Sequence, residues 1–168
     1  MVSGCAAHLI EPGHAASSAT IAKRVIDIVG LLAAEDWRQW LPAQASNTRV
    51  AVHVPCSVSH VLRRPDEVFV LLRQIPGLAL FPLPENDICC GGAGLYPLTE
   101  PDLARRLREA KMHHLADLEP DVIVTSSLGC ALQLRAGIRA TGFNIKVMHP
   151  VTLLAQLIGA SAAPATAV

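Results

Sequence analysis

Short β-branched runs alternate with helix-patterned segments from residue 49 to residue 158, and this alternation constrains the fold more than any other feature of the chain. The run Arg49-Val50-Ala51-Val52-His53-Val54-Pro55 has the composition of a buried strand. Pro65-Asp66-Glu67 opens a helix that runs to Gln74 and stops at Pro76-Gly77, and residues 78–83 read as a second strand. Pro101-Asp102 begins the longest helix, predicted over 101–118 with Pro120 beyond its end. A third strand is predicted over 121–127, a helix over 131–140 closed by Gly142, a fourth strand over 144–150 and a last helix over 151–158. Upstream, Ile21, Val25, Ile28, Val29 and Leu32 recur at helical spacing and predict a helix over 19–34. Strand and helix in strict alternation predict an α/β fold with a parallel sheet and helices on both faces, doubly wound and Rossmann-like. In such a sheet, ligands sit beyond the carboxyl ends of the strands.

The expected domain spans 1–158, and the Ala-rich stretch 159–168 has no periodicity and is expected to be a disordered tail. Residues 3–6, Ser-Gly-Cys-Ala, echo Ser127-Leu128-Gly129-Cys130-Ala131, where a full strand comes first. No strand precedes the N-terminal copy, so the chain is expected to begin in mid-element, with its first strand missing, as the C-terminal part of a larger subunit.

Lys plus Arg and Asp plus Glu each number 14 among 168 residues, so there is no electrostatic footprint for nucleic acid or for an anionic membrane. Hydrophobic residues make up 51% of the chain and charged residues 17%, an excess that an apolar surface facing another chain would explain. No apolar run is long enough to span a bilayer, and the N-terminus lacks the basic and apolar regions of a signal peptide. Five cysteines are too few for a disulfide scaffold and odd in number, which fits a reducing cytoplasm and thiols used as ligands or as buried apolar groups.

Each cysteine follows a predicted strand or an echo of one. Cys56 closes the first, Cys89 and Cys90 follow the second in "NDICCGGAG", Cys130 follows the third, and Cys5 lies in the N-terminal echo. The gaps between them, residues 57–88 and 91–129, exclude the short C-x-x-C pairs of a zinc knuckle. Loops at one sheet edge would deliver these thiols to one crevice, and the helix N-termini that follow favour thiolate over thiol. Gly4, Gly91, Gly92, Gly94 and Gly129 would let the backbone come close and aim N–H groups at sulfur. His53 reads as a strand-end hydrogen-bonding residue, and His149 as a residue that could line the same edge. His113 and His114 read as a surface pair, His8 and His14 as surface residues, and Lys111 with Arg105, Arg106 and Arg108 as a solvated helix face.

The pattern C…CCGxAG…GC, with Ser3-Gly4-Cys5 upstream, resembles the cysteine-rich CCG domain of heterodisulfide reductase B-type subunits. The resemblance is strongest to the C-terminal part of glycolate oxidase iron-sulfur subunits. It extends to "IPGLAL" (75–80), "CCGGAGLYPLTEPDLA" (89–104), "DVIVTSSLGCALQL" (121–134) and "VMHPVTLLAQL" (147–157). It implies a 4Fe-4S cluster, in some relatives of a noncubane form, with zinc as the alternative. Cys56, Cys89, Cys90 and Cys130 would be the ligands, Cys5 a fifth, and Gly4, Gly91, Gly92 and Gly129 would line the cofactor. The implied role is electron transfer in a flavin-dependent 2-hydroxyacid oxidoreductase of the glycolate or lactate type. A flavoprotein subunit would perform the hydride chemistry, and a ferredoxin-type iron-sulfur subunit or N-terminal half would complete the path. Such a complex allows peripheral membrane association. Two other roles are a zinc-binding or metal-free assembly module, and heterodisulfide reductase-like chemistry on a thiol or disulfide. The sequence departs from the family's H-D-P-C-H and N-P-G-C at His53-Val54-Pro55-Cys56-Ser57 and Ser127-Leu128-Gly129-Cys130, and Gln133 stands where relatives have the second thiol of a C-x-x-C.

Overall fold

The computed structural model describes residues 15–41 and 47–159; Gly4, Cys5, the N-terminal echo and the tail beyond Gly159 lie outside the described residues. Four strands form one sheet: β1 (Thr48–Val52), β2 (Leu78–Pro82), β3 (Val122–Val124) and β4 (Lys146–Met148), in the order β2-β1-β3-β4. All pairings are parallel, with Val50 opposite Leu80 on one side and Val122 on the other, and Val122 opposite Lys146. Pro82, which has no N–H to donate, sits in an edge strand, where a sheet tolerates it.

Side-chain alternation along the strands builds two cores. On one face Val50, Val52, Val122 and Val124 pack with Val29 of α2 (Ile28–Ala33), Val68, Leu71 and Leu72 of α3 (Glu67–Leu72), and Leu153 and Leu154 of the last helix, Pro150–Leu157. On the other face Ala51, Ile123 and Val147 meet Met112 and Leu115 of Pro101–Leu118, and Leu134 and Ile138 of Leu128–Thr141. With α1 as Ala15–Arg24 and α4 as the short helix Tyr96–Thr99, these last three helices are α7, α5 and α6 respectively. The expected parallel sheet with helices on both faces is therefore present.

The chain leaves β1 for β2 on one side, then returns past β1 to β3 on the other. The order of connection reverses between β1 and β3, so a crevice opens at their carboxyl ends.

Local chemistry shifts several boundaries. The predicted 19–34 helix is two helices, because Asp27 adopts an extended backbone and its carboxylate accepts from the Val29 N–H at 2.9 Å, capping α2. The β-branched residues on either side weaken any continuous helix there. Gly129 and Cys130 belong to the first turn of α6, which starts at Leu128 rather than at 131. Between β1 and α3, Ser57–Leu62 forms a wide π-type turn that ends on Arg63 in the left-handed region, at φ 57°. Such turns recur at functional sites.

Leu71 is 0% exposed at the centre of the first core, whereas Leu98 on α4 is 78% exposed. Leu71→Ala is expected to lower unfolding free energy by about 2–5 kcal/mol, and Leu98→Ala to change it by less than about 0.5 kcal/mol. Urea titration of both variants checks the difference.

Candidate metal centre

Three loops at the carboxyl edge of the sheet carry the four described cysteines. Cys56 stands at the head of the π-type turn after β1, where the Pro55 carbonyl accepts from the N–H groups of Val58 and Ser59. Cys89 and Cys90 lie in the loop between β2 and α4, and Cys130 lies in the first turn of α6 after β3. Cys90 and Cys130 are buried, and Cys56 and Cys89 are partly exposed.

Backbone contacts hold these loops together. Asn86 clamps the β2 loop to the end of β1: its side-chain oxygen accepts from Val54 N–H at 3.0 Å and its amide donates to the Val52 carbonyl at 2.9 Å. The loop then passes so close to the start of α6 that a Cβ on Gly92 would lie 2.6 Å from the Gly129 carbonyl oxygen, and a Cβ on Gly129 would collide with the Gly92 carbonyl. Only glycine fits at either position. Gly91 sits at φ 80° against the Ala104 backbone, and the buried Gln133 donates to the Ala104 carbonyl at 3.0 Å. The position where relatives have a second thiol thus ties α6 to α5 beside the cysteine loop.

The thiols influence one another in two pairs, Cys56 with Cys89 and Cys90 with Cys130, the latter within 4.8 Å of each other, and the pairs feel each other's charge through Cys56 and Cys130 and through Cys89 and Cys90. The Gly91 N–H donates to Cys89 Sγ at 3.3 Å, and the backbone amides of Gly92 and Ser57 act in the same sense on Cys90 and Cys56, against larger upward effects. Each such donor favours thiolate. Within the tighter pair, the hydrogen bond from Cys90 holds Cys130 below the usual thiol range against the opposing effect of burial, and Ser127 adds to it. Cys90 moves upward, because it keeps the shared proton and is buried. Burial, followed by the neighbouring Cys89 and Cys130, pushes Cys56 upward. Bringing these sulfurs together without a cation is electrostatically unfavourable, which is the condition a metal relieves.

His53 joins the group. Its ligating atoms and those of Cys90 and Cys130 lie within 4.8 Å of one another, all buried. It is also the strand-end hydrogen-bonding residue expected from the sequence, with Nδ1 3.0 Å from Thr125 Oγ1. Burial, assisted by the positive charge of Lys111, lowers its pKa to about 4, so the ring is neutral and able to ligate near neutral pH. His149 instead caps α7 by accepting from Val151 N–H and stands outside the cysteine group. His113 is exposed on α5, while His114 pairs with the Glu85 carboxylate at 3.0 Å.

Lys111 requires a correction. Its placement among the arginines of α5 reads as a solvated face, yet it is 0% exposed and its Nζ donates to the Glu85 carbonyl under the cysteine loop. Its neighbours Met112 and Leu115 are core residues, so the buried stripe of α5 includes this one charged position. Asn86 was likewise beyond sequence reading, because an asparagine in a turn is ordinary and only the fold shows both of its partners.

Asn86→Ala is expected to cost about 1–3 kcal/mol by leaving the buried groups of β1 unpaired; a urea midpoint equal to wild type would remove its clamping role. Neutral His53 generates a pH dependence. The unfolded chain, with an ordinary pKa of 6.5, takes up the proton before the folded chain, with a pKa of about 4. Stability from this residue is fully present above pH 6.5 and declines by about 3 kcal/mol as pH falls towards 4. His53→Gln is expected to flatten that part of the metal-free stability profile.

The CCG family, described as a cysteine-rich domain, matches residues 50–135, from β1 into α6. The chain is 32% identical over 164 residues to the glycolate oxidase iron-sulfur subunit of Escherichia coli (strain K12), covering 93% of this chain and 38% of that protein. It is 28% identical to the probable glycolate oxidase iron-sulfur subunit of Bacillus subtilis (strain 168), covering 93% and 37% of the two chains. It is 29% identical over 106 residues to lactate utilization protein A of Shouchella clausii (strain KSM-K16), covering 63% and 44%. The chain thus spans less than half the length of each of these relatives. The matched region contains all four described cysteines, His53 and the apposed Gly92 and Gly129, and the chain belongs to the CCG cysteine-rich domain family.

Proposed function

We propose that this domain holds an iron-sulfur cluster through Cys56, Cys89, Cys90 and Cys130 and serves as an electron-transfer component of a 2-hydroxyacid oxidoreductase. The observation that carries this reading is the placement of four cysteines at one sheet edge, with Cys90 and Cys130 within ligating reach of each other and of His53 and the Gly91 N–H donating to Cys89 sulfur. That donor set fits a thiolate-ligated group. When bound, such a cluster supplies one-electron transfer at a potential set by charge, hydrogen bonds to sulfur and exposure. The chain's own part is to fix the thiolates, stabilise their charge through backbone amides, and exclude water around the buried Cys90, Cys130 and His53. Cys5, outside the described residues, is proposed as a fifth ligand, and a 4Fe-4S cluster, cubane or noncubane, is the proposed form.

The names of the relatives support a context of glycolate- or lactate-type oxidation; in the proposed reading this domain passes electrons between a flavoprotein subunit and further iron-sulfur centres in the cytoplasm. Exposed Leu95 and Leu98 beside the cysteine loop, and Leu128 and Leu132 beside Cys130, offer apolar surface for such partners. No helix among the described residues is long and apolar enough to cross a membrane.

His53 beside Cys90 and Cys130 favours one second reading, a zinc held by mixed nitrogen and sulfur ligands. Anaerobic purification followed by iron, acid-labile sulfide and zinc assays separates the two. Iron and sulfide in comparable amounts are expected, and stoichiometric zinc without sulfide overturns the cluster. Cys90→Ser is expected to lower bound iron at least about tenfold, and retention of a wild-type visible spectrum would remove Cys90 from the ligand set.

A further inference from the structure

We propose that the stretch from α1 through the end of α2 is a two-fold interface with a second copy of this chain. α2 lies on the sheet face opposite α5 and α6, so this contact is separate from the leucines that border the cysteine loop and does not depend on the metal-site reading.

The apolar stripe that the sequence places over 19–34 is only partly absorbed by the core. Val29 is buried and Leu32 packs against the first cluster, whereas Ile21, Val25, Ile26, Ile28 and Leu31 are each 42–55% exposed. The Val25 N–H donates to the Ile21 carbonyl at 3.2 Å, which sets these two side chains one turn apart on one face, and Ile28 and Leu31 have the same relation on α2. So many exposed aliphatic side chains in one short stretch mark a protein contact. Beside them is a hollow of about 710 Å³ between the ends of α2 and α3, lined by Ala33, Ala34, Glu35, Val70 and Gln74 among others. Arg38 and Arg73 at this hollow are already engaged, Arg38 by the Asp36 carboxylate at 3.6 Å and Arg73 by the Phe69 ring. The Glu35 backbone is fixed by Gln74, which donates to its carbonyl at 3.0 Å. Among the described residues no opposite charge pairs with the Glu35 carboxylate, nor with Lys23 or Arg24 at the other end of the stretch.

These features are complementary to one another, which identifies the occupant. A two-fold axis between Ile28 and Leu31 runs α2 antiparallel to its copy and sets Ile28 of one chain against Leu31 of the other. The same operation brings Val25 and Ile26 to the hollow at Ala33 and Ala34, and Arg24 to Glu35, and symmetry repeats each contact. A second copy therefore supplies the ridge, the hollow and both charges in register, while a formal net charge of zero leaves no overall repulsion between copies.

Sedimentation velocity of the full chain, under reductant so that no intermolecular disulfide contributes, tests the interface. Wild type is expected to sediment as a dimer at about 10 µM chain. Arg24→Glu and Glu35→Arg each put like charges at both symmetry-related contacts, and each alone is expected to weaken dimerisation at least about tenfold. An equimolar mixture of the two variants restores both ion pairs in a mixed dimer, and its association is expected to return to the wild-type level. A monomeric wild type overturns the proposal and leaves the face to a different chain. A dimer indifferent to both charge changes overturns it, as does a dimer that Leu98→Asp disrupts in their place, or a mixture that recovers nothing. Should a charge variant lose its far-UV circular dichroism, the exposed Ala34 carries the same test: Ala34→Trp fills the hollow and is expected to abolish the dimer, and an unchanged dimer overturns the proposal.

Discussion

β1 is paired in parallel on both edges, and the positions of the four described cysteines follow from that. Val50, Ala51 and Val52 are fully buried because each is covered by a strand on either side and a helix layer above or below. Parallel pairing places the carboxyl ends of β1, β2 and β3 side by side. Backbone bonds continue past the strands, with the His53 N–H donating to the Val124 carbonyl and the Leu83 N–H to the Val52 carbonyl. Loops more than thirty residues apart in sequence therefore begin within one strand spacing of each other. The opposite edge is secured separately: the Arg49 side chain donates to the Leu118 and Glu119 carbonyls at the end of α5 and lies over the Phe81 ring.

Around the crevice, packing and chemistry use the same residues. Gly92 and Gly129 permit two loops to touch backbone to backbone, and that touch sets Cys90 beside Cys130. The amides exposed by the turn then donate to sulfur. A side chain at either glycine would separate the loops before it could affect any bound group, so the glycines act on the site through the fold. Asn86 ties the first of these loops to the end of β1, and Gln133 ties α6 to α5, both by side-chain amides rather than by apolar contact. Hydrogen bonds of this kind specify distance and direction, which dispersion contacts between leucines do not.

Buried polarity is concentrated at this end of the molecule. His53, Lys111, Thr125 and Gln133 are buried polar or charged side chains, and each lies within or beside the cysteine loops. The two cores elsewhere are built from valine, leucine, isoleucine, alanine and Met112, with Trp37, Phe69, Met148 and Phe143 packed at their margins. Departures from apolar burial cost free energy unless partners are supplied. Apart from Ser18 on α1, the buried polar side chains among the described residues gather around this crevice, which marks where the fold accommodates chemistry at the expense of packing.

The sequence by itself determined the architecture and the ligand types. Short β-branched runs alternating with helical spacing specify a parallel α/β sheet, and loop cysteines flanked by glycines mark a candidate thiolate site at its carboxyl edge, because both signals are local in sequence. The helix over 101–118 was legible to its ends from Pro101 and Pro120, and the structure closes it on Glu119 in the left-handed region. What lay beyond reach was decided by contacts between distant residues. Lys111 differs from its exposed arginine neighbours only in the direction it faces on α5, and that direction is set by the sheet beneath it. His53 becomes a companion of Cys90 and Cys130 only once β1 and β3 are neighbours. The break at Asp27 depends on one cap, and the roles of Asn86 and Gln133 depend on partners tens of residues away. Composition and spacing carry which groups are present and how each segment folds; the strand order decides which of them share a crevice, because hydrogen-bonded pairing between strands is the step that converts separation along the chain into proximity in space.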